Sequence, residues 1–381
     1  LALAFAAPQA RDKSKLELCP YCENDAALMK AAGIVSHGPL AIGAKGSAEL
    51  IATLPTSQWI LLETAHLRWA SCLGEESVEQ SDRARVEAEL TRLRAVLPKV
   101  PVKPRKLDPW LRLHLFAMKG EEFYARFQTL LRVSDADFPA ERSLEGPYMG
   151  AGKFLGEKDK FEVVLHLTHE NHRRFTESFS GAGVFGSFRW HFKEQHKLIT
   201  SVPAEDSDLR SDRLLWPHVV HNLSHLFLCA YKHFSYDPPI WIDEGLALAM
   251  EKEANPASRT LENEEGSLPD SKGPSNFEVA AKKLVASGKE QTLASLWAAK
   301  DYAALGVDGA VQVWSLTRFF LEAHPEAFAK FLGGVKGQLD AAQIPSGEDL
   351  PGLQRKLFKE LWDWTPADVD QAWSVWVKAR K

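Results

Sequence analysis

Two apolar runs near the middle of the chain restrict its fold more than any other feature of the sequence. Apolar residues recur at helical spacing over residues 211–233 and again over residues 241–254, with Asp-Pro-Pro between the runs. This pattern predicts two helices joined by a turn. His221 and His225 are four residues apart on the first helix, so both imidazoles project from one face. Glu244 lies at the start of the second helix, where an antiparallel helix pair would turn its carboxylate toward the histidines.

The histidine pair has the chemistry of a metal site. Two imidazoles one helical turn apart can bind one ion through nitrogens about 2 Å from it, and a carboxylate such as Glu244 could supply a further ligand. His218 is either an additional ligand or a core residue, and Asp243 is expected to cap the second helix. Histidine pairs on one helix also occur without a metal, so a purely structural role stays open.

The motif HNLSH (221–225) is followed by the segment WIDEGLA (241–247), with eighteen residues between His225 and Glu244. The two together resemble the gluzincin pattern His-Glu-x-x-His-x18-Glu of the peptidase MA-like superfamily. The tryptophan-bearing helical tail resembles that of bacterial members. The resemblance implies an α+β, zincin-like fold with a small mixed sheet, an active-site helix and a helical C-terminal subdomain. It also implies a zinc cofactor held by His221, His225 and Glu244.

Asn222 departs from that pattern at the position of the catalytic glutamate. In a gluzincin this glutamate takes a proton from zinc-bound water and passes it to the leaving amine. Asparagine has a similar shape but no basic oxygen, so the sequence favours a pseudopeptidase. Ala310 stands where bacterial relatives often carry a tyrosine near the tail-helix tryptophan. The alternatives are an active zinc hydrolase with another base, or a metal-free structural or partner-binding module.

Bulk properties limit the possible partners. The chain has 381 residues and a net charge of −5, without the basic stripe of a nucleic-acid-binding protein. No apolar run approaches the roughly 18 residues of a membrane-spanning helix. The first residues, LALAFAAPQA, resemble the end of a secretory signal, which favours export. A peptide or protein ligand is the expected partner, and the oligomeric state is left open.

The sequence divides into four expected segments. Residues 1–56 form a signal remnant and an N-terminal extension, residues 57–254 the zincin-like domain, residues 255–276 a linker or surface loop, and residues 277–381 a helical C-terminal subdomain. The division follows the polar composition of residues 255–276 and the helical pattern beyond them.

The motif CPYC, from Cys19 to Cys22, suggests a different function. It is the active-site tetrapeptide of glutaredoxins, whose chemistry needs a strand before the motif and a helix after it. The preceding KLEL is a poor strand, and no βαβ pattern follows. Cys19 and Cys22 are therefore expected to form a local disulfide or half of a metal clip.

Overall fold

A computed structural model describes residues 18–55, 57–143, 145–192, 196–205, 209–263, 266–269 and 273–380. The strands in these residues are β1 Ile60–Glu63, β2 Leu67–Ser71, β3 Glu76–Ser77, β4 Lys106–Leu107, β5 Phe161–His166, β6 Phe188–Phe192, β7 Lys197–Pro203, β8 Thr260–Asn263 and β9 Gly266–Pro269. The helices are α1 Ala26–Ala31, α2 Ser47–Thr53, α3 Arg83–Val96, α4 Pro109–Leu131, α5 His169–Ser180, α6 Asp212–Ala230, α7 Ile240–Ala254, α8 Phe277–Ser287, α9 Leu293–Trp297, α10 Gly306–Ala323, α11 Pro325–Val335, α12 Leu350–Trp362 and α13 Pro366–Ala379. The segment LALAFAAPQA lies outside the described residues.

The centre of the molecule is a five-stranded mixed sheet in the order β1-β2-β5-β7-β6. Strands β2, β5 and β7 run parallel, while β1 and β6 pair antiparallel at the two edges. Every residue of β5 and β7 is buried, as expected for central parallel strands covered on both faces. The expected α+β class is confirmed, because a mixed sheet is combined with a helical C-terminal region.

The two faces of the sheet have separate hydrophobic cores. One face carries Leu61, Val164 and Ile199 and packs against residues 40–54 and α5. The larger core on the other face joins the sheet to α4, α6, α7 and the C-terminal helices. The N-terminal segment from residue 19 onward therefore belongs to the folded body, since it contributes buried side chains to both cores.

Helices α6 and α7 form the expected pair, with bounds close to the predicted ones. Pro217 lies inside α6 and has no N–H to donate, which frees the carbonyl of Arg213 four residues earlier. Asn255, just after α7, donates its side-chain amide to that carbonyl at 3.2 Å. The end of the second helix thus replaces the hydrogen bond that the first one lacks.

Gly245 lets α10 approach α7 closely. A Cβ atom at this position would lie 2.3 Å from Thr317 Oγ1 and 2.6 Å from the carbonyl oxygen of Val313. A side chain there would push the helices apart, which explains a glycine beside Glu244. The C-terminal helices thereby fix the position of the helix that carries the carboxylate.

Residues 255–276 differ from the expected linker or surface loop. They contain β8 and β9, which pair antiparallel as a hairpin. Thr260 and Glu262 of β8 are buried against α6 and α7. Residues 260–263 and 266–269 of this segment are therefore strands, and Glu262 enters the interior from the first of them.

Candidate metal centre

The structure brings the three predicted ligands together in the interior. The Nε2 atoms of His221 and His225 lie 3.2 Å apart. Glu244 Oε2 lies 3.7 Å from the first of these nitrogens and 3.5 Å from the second. Ligands at about 2.0–2.1 Å from a tetrahedral zinc ion are separated by about 3.4 Å. The three atoms therefore surround a point at which one ion fits.

A fourth donor, Glu262, completes the cluster from β8. Its Oε1 atom lies 3.0 Å from His221 Nε2 and 3.6 Å from His225 Nε2. One atom from each of the four side chains lies within 4.8 Å of all the others. Glu262 is only 2 % exposed. The sequence interpretation missed this residue, since the four-residue strand TLEN has no apolar periodicity to reveal it.

The polar atoms of the cluster fit a metal better than they fit each other. Glu244 Oε2 is buried and accepts no hydrogen bond of normal geometry from the described residues. The two imidazole Nε2 atoms face each other, and two nitrogens at this distance need a proton or an ion between them. The donor set of two imidazoles and two carboxylates is one that zinc accepts.

Carboxylates behind the histidines orient the rings. Asp243 Oδ2 lies 2.8 Å from His225 Nδ1, and Glu251 Oε2 lies 3.3 Å from His221 Nδ1. Such partners keep the proton on Nδ1 and leave Nε2 free as a ligand. Asp243 therefore orients His225 and makes no capping hydrogen bond to α7, contrary to expectation.

Tyr302 is a further residue that the sequence interpretation did not find. Its hydroxyl donates to Asp243, and its ring stands edge-on to His225 with centroids 5.6 Å apart. It comes from the segment before α10. Ala310, the position compared above with a tyrosine of bacterial gluzincins, lies within α10 and is buried.

Charge is balanced across the cluster. Arg189 on β6 donates to both oxygens of Glu262, at 2.9 and 2.6 Å. Burial alone would raise the pKa of Glu262, but Arg189 holds it well below its usual range. Burial alone would lower the pKa of His221. The nearby carboxylates, led by Glu244, outweigh burial and raise the pKa of His221 to about 10. A metal ion would have to displace that proton.

Asn222 has both ends of its amide engaged. Oδ1 accepts from Arg189 at 3.1 Å, and Nδ2 donates to the carbonyl of His218 at 2.9 Å. The amide therefore lies beside the donor cluster without a basic atom to offer. His218 is a core residue, since its ring nitrogens meet Ser187 Oγ at 2.6 Å and Thr260 Oγ1 at 3.0 Å.

Cys19 and Cys22 are free thiols, so the structure does not contain the expected disulfide. Both are fully buried, and α1 begins only at Ala26. Burial raises the pKa of Cys19 to about 12. A glutaredoxin-type thiol needs access, a helix N-terminus and a lowered pKa, so this environment argues against that chemistry.

Comparisons with known proteins do not assign the chain to a family: no family model, no curated protein and no solved structure matches it. Within the part of the chain that the structure describes, every helix is too short or too polar to cross a membrane.

Proposed function

We propose that this chain is an exported, zincin-like pseudopeptidase that holds one zinc ion through His221, His225, Glu244 and Glu262. The observation that carries the proposal is the position of Glu262 beside the two histidine nitrogens. Zinc supplies an activated water when one coordination position stays open. Here a protein carboxylate fills that position, so the site suits a structural ion.

The residue at the base position supports the same conclusion. General-base catalysis is typically worth about 10²–10⁴-fold in rate. Asn222 cannot take a proton from water, and its amide oxygen already accepts from Arg189. Asp243 is a second carboxylate near the cluster, but it contacts His225 and accepts a hydrogen bond from Tyr302. It therefore orients a ligand and does not act as the base. The described residues around the cluster thus leave no free base opposite a water molecule.

The arrangement of the sheet is consistent with a zincin-like fold. The antiparallel edge strand β6 contributes Arg189, which reaches both Asn222 on α6 and Glu262 on β8. The edge of the sheet, the histidine helix and the hairpin thus meet at the donor cluster. A peptide lying along β6 would be separated from the ion by the Arg189–Glu262 pair.

Zinc content and peptidase turnover test the proposal together. The purified protein is expected to hold one zinc at this cluster. His225→Ala and Glu262→Ala should lose that ion or bind it more weakly, as measured by elemental analysis after dialysis. Glu253→Ala is the matched control. Glu253 also belongs to α7, but its side chain is exposed and pairs with Arg126 at 2.9 Å, away from the cluster. Wild-type protein is expected to cleave no peptide in a mixed peptide library.

A second set of variants tests why turnover is absent. In a double variant, Glu262→Ala opens a coordination position for water and Asn222→Glu restores a base. This double variant is the one expected to gain peptide hydrolysis. Turnover by the wild-type chain that His225→Ala abolishes would contradict the proposal and establish an active hydrolase.

A metal-free structural or partner-binding module is the second candidate. It is favoured by the charges of the donors, because Arg189 and a protonated His221 can neutralise the two donor carboxylates, Glu244 and Glu262, without an ion. Zinc in the wild-type protein no higher than in His225→Ala would establish this candidate in place of the first.

A further inference from the structure

We propose that Cys19, Cys22, His37 and His114 form a second, structural zinc site that anchors the N-terminal segment to the body of the protein. The site shares no residue with the cluster on α6 and α7. It goes beyond the proposed function, and neither depends on the other.

The four side chains meet in pairs that have the geometry of adjacent zinc ligands. Cys19 Sγ lies 3.1 Å from His114 Nε2, and Cys22 Sγ lies 3.0 Å from His37 Nε2. A sulfur at about 2.3 Å and a nitrogen at about 2.0 Å from a tetrahedral zinc are about 3.5 Å apart. Ligand atoms of Cys19, His37 and His114 all lie within 4.8 Å of one another, and Cys22 joins this group of three through its contact with His37.

The two cysteines are arranged as one unit. Cys19 and Cys22 lie on either side of a tight turn in which the amide of Glu23 donates to the carbonyl of Cys19 at 2.9 Å. Burial raises the pKa of the Cys19 thiol and outweighs the backbone amides of Cys22 and Tyr21, which lower it. The thiolate, which is the form that binds metal, therefore needs a cation beside it in this buried turn.

The imidazole of His37 is oriented from behind. Its Nδ1 atom lies 3.4 Å from the carbonyl oxygen of Leu61 on β1, which leaves Nε2 facing Cys22. A backbone carbonyl in this position is a common partner of a metal-bound histidine. His114 approaches from α4 on the opposite side, with its ring perpendicular to that of His37 at 5.8 Å.

The donors and their surroundings select for zinc. All four side chains are buried, and Trp110 and Tyr21 surround the histidines with aromatic surface. Two thiolates neutralise a divalent cation, so the ion can be buried in apolar surroundings without an unpaired charge. When zinc binds, each thiol transfers its proton to solvent, and four metal–ligand bonds form without any change in oxidation state.

The proposed site would join three distant parts of the chain. The turn at residues 19–22 lies outside any helix or strand, and the segment before His37 is joined to β1 only by an isolated bridge between Ser36 and Glu63. Small chain segments with a limited core are often fixed by such an ion. The role we assign is therefore structural.

Cobalt substitution provides the test, because thiolate ligands give cobalt an intense sulfur-to-metal charge-transfer absorption that histidine and carboxylate ligands do not. We expect this band in full-length protein dialysed against cobalt, at one equivalent. It should persist in His225→Ala and be lost in Cys22→Ser. Cys72→Ser is the matched control, since Cys72 is also buried but lies in the other core and contacts Leu165.

Total zinc gives an independent count. Wild-type protein is expected to contain two zinc ions, with one lost in Cys22→Ser and the other in His225→Ala. A wild-type protein that takes up cobalt without the charge-transfer band would overturn the proposal even if Cys22→Ser failed to fold. A disulfide between Cys19 and Cys22 in the purified protein, detected by mass spectrometry without reduction, would overturn it as well.

Discussion

The two buried donor clusters differ in what lies behind their ligands. In the cluster of His221, His225, Glu244 and Glu262, each donor except Glu244 has a charged partner: Glu251, Asp243 and Arg189. In the cluster of Cys19, Cys22, His37 and His114, the neighbours are aromatic rings, backbone amides and one carbonyl.

This difference separates two ways of stabilising a buried polar site. The first cluster can rearrange protons and remain a network of ion pairs when no metal is bound. Among the described residues, no charged side chain contacts the donors of the second cluster, so an ionised sulfur there depends on a cation. We therefore expect the first cluster to depend mainly on its arginine and the second mainly on metal.

The largest effect is expected from Arg189→Met. The substitution leaves Glu262 buried without its bidentate partner, and breaking a buried ion pair typically costs about 3–5 kcal/mol. Urea unfolding of the metal-free protein measures this loss. Arg126→Met, which breaks an exposed pair with Glu253, should cost about 0–1 kcal/mol. Equal losses in the two variants would contradict the role of Arg189.

A comparable but metal-dependent effect is expected at the N-terminal cluster. Free zinc at about 1,000 times its dissociation constant stabilises a site that only the folded chain forms by about 4 kcal/mol. Cys22→Ser should remove this increment at the N-terminal site. The measurement is the free energy of unfolding with and without zinc. A zinc-dependent increment unchanged in Cys22→Ser would show that the second cluster binds no ion.

A smaller effect should follow from Asp243→Asn. The amide can still lie beside His225 Nδ1 but no longer supports the ring with a charge. Loss of such a partner typically lowers metal affinity by about 10–100-fold. Competition with a chromogenic chelator should show this decrease at the His225 site, while the cobalt–thiolate band keeps its intensity. A weaker thiolate band in this variant would mean that the clusters are linked.

The smallest effect is expected from Tyr302→Phe, which removes only the hydroxyl that donates to Asp243. Hydrogen bonds of this kind contribute about 1.5–3 kcal/mol when one partner is charged. Because Asp243 keeps its contact with His225, the loss of unfolding free energy should be near the lower end of this range, about 1.5 kcal/mol. Combined with Asp243→Asn, the effects should be less than additive, and full additivity would exclude a shared network.

The sequence was most informative where periodicity was strong. The helical pattern predicted α6 and α7 within a few residues, and the spacing of His221, His225 and Glu244 on these helices was sufficient to place three donors together. Such local geometry follows from the regular pitch of a helix.

The remaining donors are defined by tertiary contacts that no local pattern encodes. Glu262 lies in a short polar strand, and only its pairing with Arg189 explains why a charge is buried there. His37 and His114 follow Cys22 by 15 and 92 residues, so their convergence depends on how the N-terminal segment packs on α4. The CPYC motif indicated the two cysteines of that cluster, whereas no sequence pattern indicated the two histidines.

The β8–β9 hairpin has a kinetic consequence for the cluster on α6 and α7. Three donors belong to two helices packed against each other, whereas Glu262 comes from the first strand of a two-stranded hairpin. An ion enclosed by all four can exchange with solvent only when one donor moves aside, and Glu262 is the donor that can do so without parting the two helices. The residence time of the ion should therefore report how often that hairpin leaves the body, independently of how tightly the ion is bound at equilibrium.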